Sequence, residues 1–192
     1  MFTAAEFARG IKGAIGFLQR DPAAPTCFEN TAEACLRSFR IMLLVAPLHA
    51  ILMLIRYSYV ITPADDLDIF AVETLRYIVD WLLFPVVFFE IARRRNWLAL
   101  YPRYISALNW VNVPAMAIAV VGLAVAILVP ASVAELIRLA LQALFFFWFL
   151  QASRAVLNIG WGIASLLLIV NWVPSIFVSL IVDRYLGIAA IP

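Results

Sequence analysis

Titratable side chains are sparse in this chain, and the informative ones stand among apolar residues. His49, the single histidine, lies in the apolar run from Ile41 to Ile55, with Arg56 directly after it. Asp80 falls one turn after Arg76 in a second apolar stretch that reaches Glu90, and Arg138 lies in a later one. A charge on a helix surrounded by hydrocarbon costs about 2.5–3.5 kcal/mol on insertion scales, so such positions are where function is sought first. His49 and Asp80 together could relay a proton or an ion. Against this, most of these charges fall within two turns of a membrane face, where they pin helices or snorkel to the interface. Only His49 is expected at depth, and a relay needs a second titratable group beside it, so the structural role is favoured. Depth matching pairs Asp80 with Arg56 or Arg138, and Glu90 with Arg40, Arg93 or Arg94.

Two short stretches repeat a theme: Asn109-Trp110-Val111-Asn112-Val113-Pro114 and Asn171-Trp172-Val173-Pro174. Each joins amides to a proline that removes a backbone hydrogen bond and kinks its helix. Broken helices with freed polar groups at depth are how many transporters build substrate sites. The simpler reading, which is favoured, has the amides of Asn109, Asn112 and Asn171 satisfying backbone loosened by Pro114 and Pro174. Pro47 and Pro85 predict further kinks.

Other chemistry is not signalled. There is no His-Glu-x-x-His run, nucleophile elbow or phosphate loop, so neither catalytic residues nor a cofactor is predicted. Cys27 and Cys35 have no histidine nearby, so no metal site is expected either. A net charge of +2, with arginines dispersed between apolar runs, argues against nucleic acid as a partner.

The elements that must position these residues follow from composition. Of 192 residues, 66% are hydrophobic and 14% charged, against about 45–50% and 25% in soluble domains. The solvent of such a chain is lipid, and continuous apolar runs exclude the alternation of a β-barrel. About 20 apolar residues cross the hydrocarbon layer as a helix. Five segments are read as spans: Phe39–Ile61, Arg76–Ala92, Ile105–Val129, Val133–Gln151 and Trp161–Val182. Most of the 14 basic residues fall before the first span, between the second and third, or after the fourth, whereas Thr62–Thr74 carries Asp65, Asp66, Asp68 and Glu73 without a cation. The positive-inside rule then puts the N-terminus in the cytoplasm and the C-terminus, Ile191-Pro192, outside.

Residues 1–25 are read as an amphipathic helix and a proline-containing linker, and residues 26–192 as the span domain. Met1–Arg20 is interrupted by Glu6, Arg9 and Lys12 and so does not read as a signal peptide. Phe7, Ile11, Ala14, Ile15 and Leu18 share one side of a helix, and Arg9, Lys12, Gly13, Gly16 and Arg20 fall on the other. Such a helix lies among lipid headgroups or packs on the ends of the spans, and both readings stand. Asp21-Pro22-Ala23-Ala24-Pro25 ends it, and Thr26 with Glu29 reads as a capping box for the next. Phe145-Phe146-Phe147-Trp148-Phe149 covers every side of the fourth span and is expected to meet lipid or a partner. Gly122 with Ala126, and Gly160 with Ala164, are spaced for close helix approach. The fold class is therefore all-α: a five-span membrane bundle behind an N-terminal amphipathic cytoplasmic helix.

This pattern resembles the Yip1-domain family of integral membrane proteins. The likeness lies in the basic N-terminal segment, five spans and external C-terminus, and in Tyr101-Pro102-Arg103-Tyr104-Ile105-Ser106-Ala107-Leu108-Asn109-Trp110, which is similar to bacterial members. Asp80-Trp81-Leu82-Leu83-Phe84-Pro85 is a distant echo of the Asp-Leu-Tyr-Gly-Pro type signature of trafficking members, so vesicle trafficking is not carried over. The resemblance implies a non-catalytic protein that binds or organises membrane proteins or lipids. The leading expectation is a scaffold or accessory subunit of a bacterial inner membrane, partnered by the bilayer and by another membrane protein or its own copies. A small transporter or channel built on His49, Asp80, Asn109 and Asn171 is the alternative. Lipid handling through Arg9, Lys12, Arg93, Arg94 and Arg95 is the third.

Overall fold

The computed structural model describes residues 2–58 and 60–188, all helix and connecting turns with no strand among them. Seven α-helices follow in order: α1 Ala4–Leu18, α2 Ala32–Ser38, α3 Ile41–Ser58, α4 Asp66–Arg94, α5 Tyr101–Ile127, α6 Ala131–Leu157 and α7 Trp161–Tyr185. The C-terminal dipeptide on which the external placement turns lies outside the described residues.

Four stretches among the described residues are long and apolar enough to cross a membrane: Ala32–Ser58, Leu98–Ile127, Ala131–Leu157 and Trp161–Tyr185. The segment expected as the second span does not meet that measure. At 29 residues α4 has the length, but Asp66, Asp68, Glu73, Arg76, Asp80, Glu90, Arg93 and Arg94 all ride on it. The helix also begins ten residues earlier than its apolar run, because Asp66 and Asp68 occupy its first turn, where carboxylates complement the exposed backbone N–H groups. Charge that reads as a loop is here the start of a helix.

The N-terminal region corrects two expectations. In α1, capped by Thr3 Oγ1 accepting from Glu6 N at 3.1 Å, the face carrying Gly10, Gly13, Ala14, Gly16 and Phe17 is buried. Gly13 and Gly16 thus belong to the packed side, not the polar one, while Phe7 and Ile15 are exposed. The glycines permit close approach. A Cβ at Gly10 would overlap the Trp110 indole of α5, and one at Gly13 would lie 2.6 Å from the Phe28 ring. On α6, Trp148 Nε1 donates to Ala14 O at 2.8 Å, fixing the helix across both elements. The second correction is the capping box. Thr26 sits in a short 3-10 turn, Ala24–Cys27, and its hydroxyl donates to Ala23 O. It is Thr31 that caps the next helix, accepting from Ala34 N at 3.2 Å. A break at Phe39–Arg40 then separates α2 from α3.

The core lies where α4, α5 and α6 meet. Phe84 and Phe88 of α4 close on Tyr104 of α5, with ring centroids 6.1 and 4.6 Å away, and Phe149 of α6 is 5.5 Å from Phe84. Tyr104 is fully buried, its hydroxyl bonded to Ser153 Oγ at 2.7 Å. The aromatic run of α6 therefore turns inward: Trp148 and Phe149 are buried and the three phenylalanines before them half-buried. Gly122 does admit a neighbour, Leu141, closely, whereas Gly160 has open space around it.

Candidate functional site: a cavity between the helices

Side-chain contacts fix how the long helices run. Arg56 near the end of α3 reaches Glu73 near the start of α4 and Asp183 near the end of α7. Asp80 and Ser175 meet one level deeper between α4 and α7, so those two helices are antiparallel and α3 runs with α7. Ser38, just before α3, meets Asn109 early in α5.

Between these helices lies a cavity of about 520 Å³, a size typical of small-molecule sites. His49, Asp80, Asn109, Asn112 and Asn171 all line it, together with Gln142 and Ser175. Residues that the sequence distributes over five helices are thus neighbours around one space. Asn109 is buried at its floor with Trp148 and Phe149, and Asn112, Gln142 and Trp172 are exposed at its open side. Pro85 and Pro174 remove the ladder bonds that the carbonyls of Trp81 and Val170 would otherwise accept. Asn109 is only partly committed: its Nδ2 donates to Ser38 Oγ at 2.9 Å. His49 stacks on Tyr77 at 4.4 Å between centroids, and its Nε2 is buried without a protein partner. Asp80 Oδ1 accepts from Ser175 Oγ at 2.8 Å, while Oδ2 lies 3.8 Å from Arg76 Nη1, beyond hydrogen-bond range.

The expected charge pairs are redistributed. Asp80 meets neither Arg56 nor Arg138. Arg56 binds Asp183 at 2.6 Å and Glu73 at 3.3 Å, and Arg138 pairs with Glu135 on its own exposed helix surface. Glu90 folds back on Arg93 and Arg94, at 2.8 and 2.7 Å, instead of reaching Arg40. The residue that sequence reasoning missed is Glu73. Its side chain is 0% exposed, and it accepts from Tyr57 Oη at 2.7 Å, Arg76 Nε at 2.6 Å and Arg56 Nη1. Glu73, Arg76 and Asp80 at i, i+3 and i+7 form a helix-face ladder that could have revealed it, once α4 is extended upstream.

Of the residues expected to grip headgroups, Arg9 is bound to Glu29 at 2.7 Å, Arg93 and Arg94 to Glu90, and Lys12 and Arg95 are exposed. Both cysteines are free, Cys35 buried and Cys27 half-buried. No cluster of three or more His, Cys, Asp or Glu among the described residues could hold a metal ion.

Fold and cavity together define a helical protein compatible with a multi-pass membrane protein. No protein-family model matches the chain, and neither a curated protein nor a solved structure matches it.

Proposed function

We propose that the chain is a five-span inner-membrane protein of a bacterium, N-terminus inside, that binds a small solute in the cavity between α3 and α7 as part of a transport or carrier role. One observation supports this above the others: His49, Asp80, Asn109, Asn112 and Asn171 share a single lined space. Polar groups at depth are costly unless something uses them, and their convergence favours one common user. The fifth crossing is α4, whose buried Glu73 is paired with Arg56 and Arg76 near one end and whose Glu90 is paired with Arg93 and Arg94 at the other. The likeness to Yip1-domain proteins, a non-catalytic role and α1 as an interfacial helix docked on α5 and α6 belong to the same proposal.

Scaffold, accessory-subunit and lipid-handling roles rank lower. The arginines invoked for headgroups are largely engaged with Glu29 and Glu90, and a scaffold role leaves the shared cavity without a user. The test is water access. Ala119 lines the cavity, so Ala119→Cys, with Cys27 and Cys35 replaced by alanine, should react with a water-soluble thiosulfonate in intact membranes. A thiol at that position as inert as one on a lipid-facing site removes the proposal.

A further inference from the structure

The cavity is not electrically neutral, and its imbalance names a class of occupant. This step rests on the cavity being a binding site, as proposed above. Among the described lining residues, Asp80 is the one carboxylate, and no arginine or lysine lines the space. Behind it, Arg56 and Arg76 face Glu73, Asp183 and Asp80. Two guanidinium groups thus meet three carboxylates and leave one formal negative charge. Geometry shows where it resides. Glu73 is bound by Arg76 at 2.6 Å and by Arg56 at 3.3 Å, and Asp183 by Arg56 at 2.6 Å. Asp80 has only Ser175 at hydrogen-bond distance, with Arg76 at 3.8 Å. Arg184, next to Asp183, is exposed, and His49 is the other titratable side chain beside Asp80 in the wall.

Asp80, held by one hydroxyl with its guanidinium partner at 3.8 Å and its side chain 27% exposed, is the least neutralised carboxylate of the group and the one that favours an added cation beside it. The rest of the wall discriminates between kinds of cation. Tyr77, Trp81, Trp148 and Trp172 line the space with Phe145 and Phe146, and aromatic faces attract organic cations. A bare metal ion would leave most of a 520 Å³ cavity unfilled. We infer that the occupant is a small organic cation, an ammonium group set against Asp80 with its apolar body among the tryptophans and its hydrogen-bonding groups toward the Asn109, Asn112 and Asn171 amides.

The test uses the full-length protein in nanodiscs and isothermal titration with tetramethylammonium, choline and benzyltrimethylammonium, alongside dimethylbutanol, the uncharged carbon isostere of choline, and dimethylbutyrate. At least one cation should bind, at least tenfold more tightly than the neutral and anionic compounds. Asp80→Asn, nearly isosteric, should erase that preference, and Glu135→Gln, on the exposed surface of α6 away from the cavity, should keep it. If neutral and charged probes bind the unaltered protein alike, as they would were Asp80 simply protonated, the cationic class is wrong while the binding site stands. If none of the five binds, the cation assignment fails, and whether the site itself fails is read separately from the Ala119→Cys labelling.

Discussion

His49 lies almost parallel to Tyr77, 26° from coplanar and 4.4 Å between centroids, with its Nε2 buried and unbonded to protein. The stack is held from behind, because Tyr77 Oη donates to Met42 O at 2.6 Å across the α3–α4 interface. The imidazole is thus positioned by its face, leaving its edge to the cavity. His49→Phe keeps the face and deletes the unsatisfied nitrogen, so its unfolding free energy should stay within about 1 kcal/mol of the parent. Denaturant titration in mixed micelles reads this, and a loss of several kcal/mol would show that the nitrogen is already held.

Glu73 should behave oppositely. It is the shared acceptor of Arg56, Arg76 and Tyr57, and removing one side of a buried ion pair costs about 3–5 kcal/mol. Because Arg56 is a third exposed, Glu73→Ala is expected near 3 kcal/mol. Glu135→Ala, which breaks the exposed pair with Arg138, should cost less than about 1 kcal/mol. Equal effects in the same titration would mean that the network is not what joins α3, α4 and α7.

Gly10→Val tests the docking of α1. The added carbons meet Trp110, and overpacking of this kind costs about 1–3 kcal/mol. Limited proteolysis should release the segment before Thr31 faster than from the parent, while α4–α7 remain protected. Unchanged cleavage would show that α1 does not depend on that contact.

The proposed crossing by α4 is open to direct labelling. Single cysteines at Ala64 and Asn96, on either side of α4, are introduced without Cys27 and Cys35. An impermeant maleimide applied to intact spheroplasts should label the first and spare the second. Labelling of both from one side would mean that α4 does not traverse the bilayer, and the orientation of α5–α7 would invert with it.

Much of the helical order was legible because hydrophobic runs and prolines are local signals. The apolar stretches that became α3, α5, α6 and α7 lie close to where the sequence puts them. Glu73 was hidden for a physical reason: acidic residues suit both an external loop and the first turns of a helix, and only the tertiary partners Arg56 and Tyr57 distinguish the two. Likewise, Gly13 and Gly16 look polar-sided by composition, yet their lack of a side chain is what lets Phe28 and Ala24 come close. The cavity residues stand out individually in the sequence, but their meeting depends on helix rotation, which a helix apolar on every side does not encode.

The bond from Trp148 to Ala14 spans 134 positions and sets a schedule for biogenesis. At roughly 5–20 residues per second of synthesis, α1 waits about 7–27 s on the ribosome before the indole that anchors it has been made. For that interval a helix with a bare glycine face exists without the residue that fixes it, so an early stretch of sequence finds its seat only after a late one has been made.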